Sequence, residues 1–277
     1  MKLALGESAI RAGLGALGYR SRDMRGVRLI EAEGRGDLPP IVLLHGLGSR
    51  AADYLPLLQR LRPHVRRVVA PDFPGHGASP RPEPFDIGTS TRALVDALAE
   101  AVDPAVVYGN SLGGFSAIRF ASLRPERVLG IFIASPAGAP SSADDFTRFQ
   151  ATLRVDTHGD AVRFLEKVID IDSAPARHAL AWLMRRRLAP VRPLVDDMPR
   201  APGLTSEEVA SLAMPVHLFW GKNEGLLPVE HLEFFRTTLR DATIEEPAGF
   251  GHSPHTDDVD AIARKLIDFA RSIKPRR

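Results

Sequence analysis

Short apolar runs rich in β-branched residues recur along this chain. Each is closed by turn residues, and most are followed by a segment whose apolar positions repeat at helical spacing. Five stand out: "IVLLH" from residue 41, "RRVVAPD" from 66, "PAVVYG" from 104, "RVLGIFIAS" from 127 and "PVHLFWG" from 215. Their nearly unbroken apolar character suits parallel strands covered on both faces, because half-exposed strands alternate apolar with polar. Strand–helix alternation of this kind predicts an α/β fold, a mostly parallel central sheet flanked by helices. In such folds ligands gather at the carboxyl ends of the strands, so chemistry is expected in the residues just after these runs.

One region breaks the alternation. From Pro136 to about Ser211 there is no buried strand pattern, only helix-like segments: "DDFTRFQATLRV", "DAVRFLEKVIDI", "ARHALAWLMRRRLAP" and "TSEEVASLA". The simplest organisation is a core begun in residues 1–135, a helical cap inserted as 136–211, and the core completed by 212–277. At the start of the chain Ile10, Leu14 and Leu17 have helical spacing, but Gly13, Gly15 and Gly18 weaken any helix. With so few basic residues there, an arm packed on the domain is expected and membrane contact is not.

Composition narrows the partners. With 44% hydrophobic and 25% charged residues in 277, the chain can bury a sizeable core. A formal charge of +2, with arginines interleaved among acids, does not suggest nucleic acid as a partner. The absence of cysteine rules out disulfides, a thiolate nucleophile and cysteine-ligated metal. Gly6, Glu7 and Ser8 interrupt the first apolar patch before a signal-peptide core could form, and no run approaches the ~20 apolar residues needed to cross a bilayer. The expectation is a soluble, cytoplasmic protein without stable membrane insertion.

Residues 106–120, "VVYGNSLGGFSAIRF", carry the chemistry. Ser111 stands between Gly109 and Gly113 where a strand-like run becomes a helix-like one, the G-x-S-x-G pattern of a nucleophile elbow. A serine hydroxyl is a poor nucleophile alone, so a base, a carboxylate and an oxyanion site are needed beside it. His45-Gly46-Leu47-Gly48 follows the first of the five runs, and backbone amides of Leu47 and Leu112 could converge on one oxygen. Among nine histidines, His252 lies in the loop between the strand-like "ATIEEPAGFG" and a C-terminal helical segment. His255 is the alternative base, but its place at a helix entrance suits a surface or capping role. His45 reads as a structural hydrogen bonder, and His76, in "PDFPGHGAS", could border the site. Glu224 is the only acid in the turn "KNEGLLP" after the fifth run; the alternative acids are Asp144 and Asp145, after the preceding run.

These stretches together resemble the α/β-hydrolase superfamily from about Val27 onwards. The resemblance rests on "VLLHGLGS", "APDFPGHGAS", "GNSLGG" with "RPERV" after its helix, "PVHLFWGKNEGLLP" and "GFGHSPH", all in family order. It implies the α/β-hydrolase fold, with a helical cap lining the pocket. It also implies Ser111 as nucleophile, His252 as base, Glu224 as acid and the Leu47 and Leu112 amides as oxyanion hole. Neither a metal nor an organic cofactor is implied. The family's acid is usually Asp, though Glu occurs at this position in some members.

A serine at the elbow argues against dehalogenase or epoxide-hydrolase chemistry, which in this superfamily uses an aspartate there. Carbon–carbon bond hydrolases of ring-cleavage products share "GNS-x-GG", but their catalytic histidine is commonly followed by Trp, where this chain has Ser253. The resulting expectation is a serine hydrolase that cleaves a small-molecule carboxylic ester through an acyl-enzyme. The alternatives are carbon–carbon hydrolysis and a non-catalytic small-molecule receptor on the same fold. Arg185, Arg186 and Arg187 read as a solvated helix face, since three adjacent residues point in different directions. Leu47, Phe115, Phe132 and Trp182 read as ordinary core or cap packing. Acyl chain length and oligomeric state have no signature in the pattern.

Overall fold

The computed structural model describes residues 12–169, 171 and 173–273. In its central strands the pleat sends successive side chains into two cores, one on each face of the sheet. Strand β3 (Ile41–Leu44) puts Val42 and Leu44 into one core and Ile41 and Leu43 into the other, all of them buried. The remaining strands are β1 (Arg20–Met24), β2 (Val27–Glu33), β4 (Arg67–Pro71), β5 (Ala105–Asn110), β6 (Val128–Ala134), β7 (Val216–Phe219) and β8 (Ala242–Glu245). They form one sheet in the order β1-β2-β4-β3-β5-β6-β7-β8. From β4 to β8 all pairings are parallel, while β1 and β2 join antiparallel at the edge. The five predicted runs are β3 to β7.

Long helical connections cover both faces: α1 (Leu55–Leu61), α2 (Ile87–Ala101), α3 (Leu112–Leu123), α4 (Ala143–Leu153), α5 (His158–Val168), α6 (Ala174–Asp197), α7 (Ser206–Ala210), α8 (Val229–Thr238), α9 (Pro254–Asp257) and α10 (Val259–Ser272). Leu57 and Leu58 of α1 share one core with Ile262 and Leu266 of α10. The opposite core takes Leu94 and Leu98 of α2, Ile118 of α3 and Leu232 of α8. Helices α4 to α7 occupy the connection between β6 and β7, where the sequence lacks a strand pattern. No helix among the described residues is long and apolar enough to cross a membrane.

Three features differ from expectation. The β1–β2 hairpin was not among the predicted runs. Its strand β2 buries a charge, Glu31, whose carboxylate is held by Arg20, Arg22 and Arg67. Helix α6 runs past Pro190 and Pro193 to Asp197, because Leu188, Val191, Leu194 and Val195 are buried and packing outweighs the lost amide donors. At the N-terminus residues 12–16 are helical despite their glycines, with Leu14 buried and Leu17 exposed. Ile10 of that spacing lies outside the described residues.

Candidate active site

Strand β5 is buried along its whole length, and Ser111 follows it as the residue that starts α3. Its φ of 55° and ψ of −117° lie where side-chain-bearing residues pay of order 1–3 kcal/mol in strain. The surrounding backbone holds it there. Ser111 N–H donates to Ala134 O at 3.1 Å, and its carbonyl accepts from Phe115 N at 3.0 Å and Ala137 N at 3.1 Å. The two flanking glycines are steric requirements: a Cβ on Gly109 would strike the Gly113 carbonyl, and one on Gly113 would strike the Leu44 carbonyl.

His252 and Glu224 come together from the loops after β8 and β7. Nδ1 of His252 lies 2.8 Å from Oε2 and 3.0 Å from Oε1 of Glu224, with both side chains almost wholly buried. Oε1 also accepts from the backbone amides of Leu226, at 2.7 Å, and Leu227, at 3.0 Å. Burial alone would raise the Glu224 pKa. The charge and hydrogen bond of His252, with the Leu227 amide, outweigh burial and hold it below its ordinary 4.5. A carboxylate that only accepts requires the proton on Nδ1, and Nε2 of His252 has no partner among the described residues.

Ser111 and His252 line one cavity of about 500 Å³. Its other walls include Leu47 and Tyr54 from the core and Phe164, Leu183 and Arg187 from α5 and α6. Neither the Leu47 nor the Leu112 N–H donates to an acceptor among the described residues. Asp145 is engaged elsewhere, by Ser142 and Arg148 at the start of α4, and Asp144 sits in the same first turn.

Sequence reasoning placed several residues differently. His255 is half-buried, with its ring stacked on Tyr54 at 4.3 Å and its Nδ1 3.3 Å from the Tyr108 hydroxyl. It lines the cavity, and burial pushes its pKa down to about 4, so it is uncharged at neutral pH. His76 is not among the cavity residues: it packs edge-on against Phe73 and beside His45, and burial depresses its pKa to about 3. His45 is a structural hydrogen bonder, as read. Its Nδ1 faces Gly46 O at 2.8 Å and its Nε2 accepts from Phe73 N at 2.9 Å. The three arginines diverge: Arg185 reaches Asp156 O, Arg186 covers the exposed Trp182 ring, and Arg187 binds Asp53 through two bonds of 2.8 and 3.2 Å. Arg187 therefore belongs to the cavity and not to a solvated face. Phe132 is fully buried core, whereas Leu47 lines the cavity.

One positioning residue went unread. Asn110 Nδ2 donates to the His252 carbonyl at 2.7 Å and to the Ala134 carbonyl at 3.0 Å, tying the histidine loop to the end of β5. Its place beside Ser111 at a strand end was the available signal.

Comparison with known proteins bears on the family and the fold. The model of the Alpha/beta hydrolase family matches residues 41–265. A pimeloyl-[acyl-carrier protein] methyl ester esterase of Xanthomonas axonopodis pv. citri is 30% identical over 88% of this chain and 99% of its own. Among solved structures, a lipase from Acinetobacter baumannii AYE described as putative superposes with a TM-score of 0.78 at 21% identity, covering 96% of each chain. The 2-hydroxy-6-oxo-6-phenylhexa-2,4-dienoate hydrolase from Rhodococcus sp. strain RHA1 superposes at 0.77 with 20% identity, covering 92% of this chain and 99% of that one. At such identities these two structures speak for the fold alone.

Proposed function

This chain belongs to the alpha/beta hydrolase family and is a carboxylic ester hydrolase, and we propose that it works through an acyl-enzyme on Ser111 with a Ser111–His252–Glu224 triad. One observation carries this reading: the Glu224 carboxylate fixes the Nδ1 proton of His252 and leaves Nε2 free, on the wall of the cavity that also holds Ser111. Ser111 Oγ attacks the ester carbonyl while Nε2 takes its proton. The Leu47 and Leu112 amides receive the developing oxyanion, and Glu224 offsets the positive charge that arises on the imidazole. The imidazolium then protonates the departing alkoxide. Water, deprotonated by the same nitrogen, releases the acid and restores Ser111.

Residues 136–211 act as a cap in this account: Phe164, Leu183 and Met184 give the cavity an apolar wall suited to an acyl chain. Arg187 is already neutralised by Asp53, which favours an uncharged substrate over the carboxylates of ring-cleavage products.

A panel of p-nitrophenyl esters of rising acyl length, run beside a vinylogous ring-cleavage diketone acid, tests this function. Turnover is expected for the esters and not for the diketone acid. Leu183→Trp should lower kcat/KM for the octanoate about tenfold or more while sparing the acetate, since a few methylenes of lost pocket cost roughly that much. Faster turnover of the diketone acid than of every ester would overturn the assignment.

A further inference from the structure

The wall of the catalytic cavity is not uniform. Apart from Arg187, what α5 and α6 contribute is apolar, whereas the turn that carries His252 adds Ser253 and His255 from the core. The reaction uses His252 and leaves those two without a task.

The protonation of His255 can be worked out from its neighbours. Its Nδ1 lies 3.3 Å from the hydroxyl of Tyr108, a fully buried residue whose phenol burial keeps protonated. That hydroxyl has no acceptor besides this ring nitrogen among the described residues, so the phenol donates to Nδ1. The uncharged ring must then carry its own proton on Nε2. Nε2 takes no partner among the described residues, and unlike the Tyr54 hydroxyl or Nδ1 of His231 it is not sealed from solvent. Ser253 Oγ is open in the same way. Protein surrounds His255 closely enough for burial to control its protonation, so the surface it keeps is cavity surface. Stacking on Tyr54 at 4.3 Å fixes the plane of the ring. The wall thus holds a preset N–H donor whose bond is unmade.

Such a donor discriminates. A methyl group brought against it displaces water and replaces no bond, whereas an oxygen restores the bond that the water made. The two arms of an ester diverge from the carbonyl, so an acyl chain on the apolar cap wall turns the alcohol arm towards the core. The charged pair in the wall, Asp53 with Arg187, carries no net charge, which favours a neutral arm. We infer that the substrate is an ester of a neutral oxygenated alcohol, with a hydroxyl or ether oxygen near the ester link, and that His255 Nε2–H, with Ser253 Oγ, selects that oxygen. This rests on the acyl-enzyme reading above and adds the class of the alcohol.

The test compares 2-hydroxyethyl butyrate with propyl butyrate, which have the same number of heavy atoms and differ by an oxygen in place of a methyl group. The ratio of their kcat/KM values is divided by the ratio for alkaline hydrolysis without enzyme, which removes leaving-group reactivity. Wild type should favour the hydroxyethyl ester about tenfold, the worth of one net hydrogen bond. His255→Phe keeps a ring on Tyr54 and removes the donor, so the corrected ratio should fall to within about twofold of unity. A purely structural role would lower both rates and leave the ratio. Because His255→Phe strands the Tyr108 hydroxyl, His255→Phe/Tyr108→Phe takes its place should the single variant not unfold cooperatively. A wild-type ratio near unity, or one that survives loss of the imidazole, overturns the inference. So does inertness of both butyrates while p-nitrophenyl butyrate is turned over in a Ser111-dependent way. Inertness of all three esters overturns the acyl-enzyme reading as well.

Discussion

Ser111→Ala should lower kcat/KM for p-nitrophenyl butyrate by at least about 10⁴-fold relative to wild type, with cooperative unfolding preserved. Removing the hydroxyl abolishes the covalent route and leaves what the oxyanion amides and substrate binding do alone, which in serine hydrolases is a small remainder. The backbone argument separates this loss from misfolding. Alanine at 111 keeps the same φ of 55°, and the bonds that impose it, from Phe115 N and Ala137 N to the 111 carbonyl, involve no side chain. Strain is thus neither added nor relieved, and Tm should move little. Equal ester turnover in the two proteins would remove Ser111 from the chemistry.

Glu224→Gln should lower kcat by about 10³ to 10⁴-fold with little change in KM. The carboxylate accepts from three directions: Leu226 N, Leu227 N and His252 Nδ1. A glutamine turns its carbonyl oxygen to the two backbone amides, which leaves its NH₂ facing Nδ1. The ring then must accept at Nδ1 and carry its proton on Nε2, the tautomer that cannot take a proton from serine. Acid stability should change as well. The Glu224 pKa is lowered in the fold, so its ionisation stabilises the protein at pH values above the ordinary 4.5 and loses that contribution as pH falls through the lower native value. The Tm difference between wild type and Glu224→Gln should therefore be constant near neutrality and shrink below about pH 5. A difference that grows on acidification would contradict the ionised state assigned to this carboxylate.

How much of this was legible depended on what each pattern encodes. Continuous apolar runs mark strands buried on two faces, and β3 to β7 are such strands. Strand β2 was hidden because Glu31 sits at a buried position, tolerable only once Arg20, Arg22 and Arg67 arrive from β1 and β4. The turn joining β1 and β2 uses Arg25 at φ 52° with Gly26 at 83°, a pair without the usual Asn-Gly or Asp-Gly signal. Ser111, Glu224 and His252 each follow a strand, and parallel pairing brings strand ends together, so their convergence could be read from position in the chain. Asn110, and Arg187 with Asp53, could not: their roles rest on contacts across 142 and 134 residues, which local periodicity does not carry. His255 misled for the same reason, since only the folded chain stacks it on Tyr54.

The central claim is that the fold activates one hydroxyl, at position 111, by a proton path through His252. Reacting the native protein with a fluorophosphonate and locating the adduct by peptide mass spectrometry tests it most directly. The account predicts a single stoichiometric phosphonyl group on Ser111, formed in step with loss of esterase activity and much more slowly in Glu224→Gln. Activity lost with Ser111 unmodified and the adduct on another residue would contradict it.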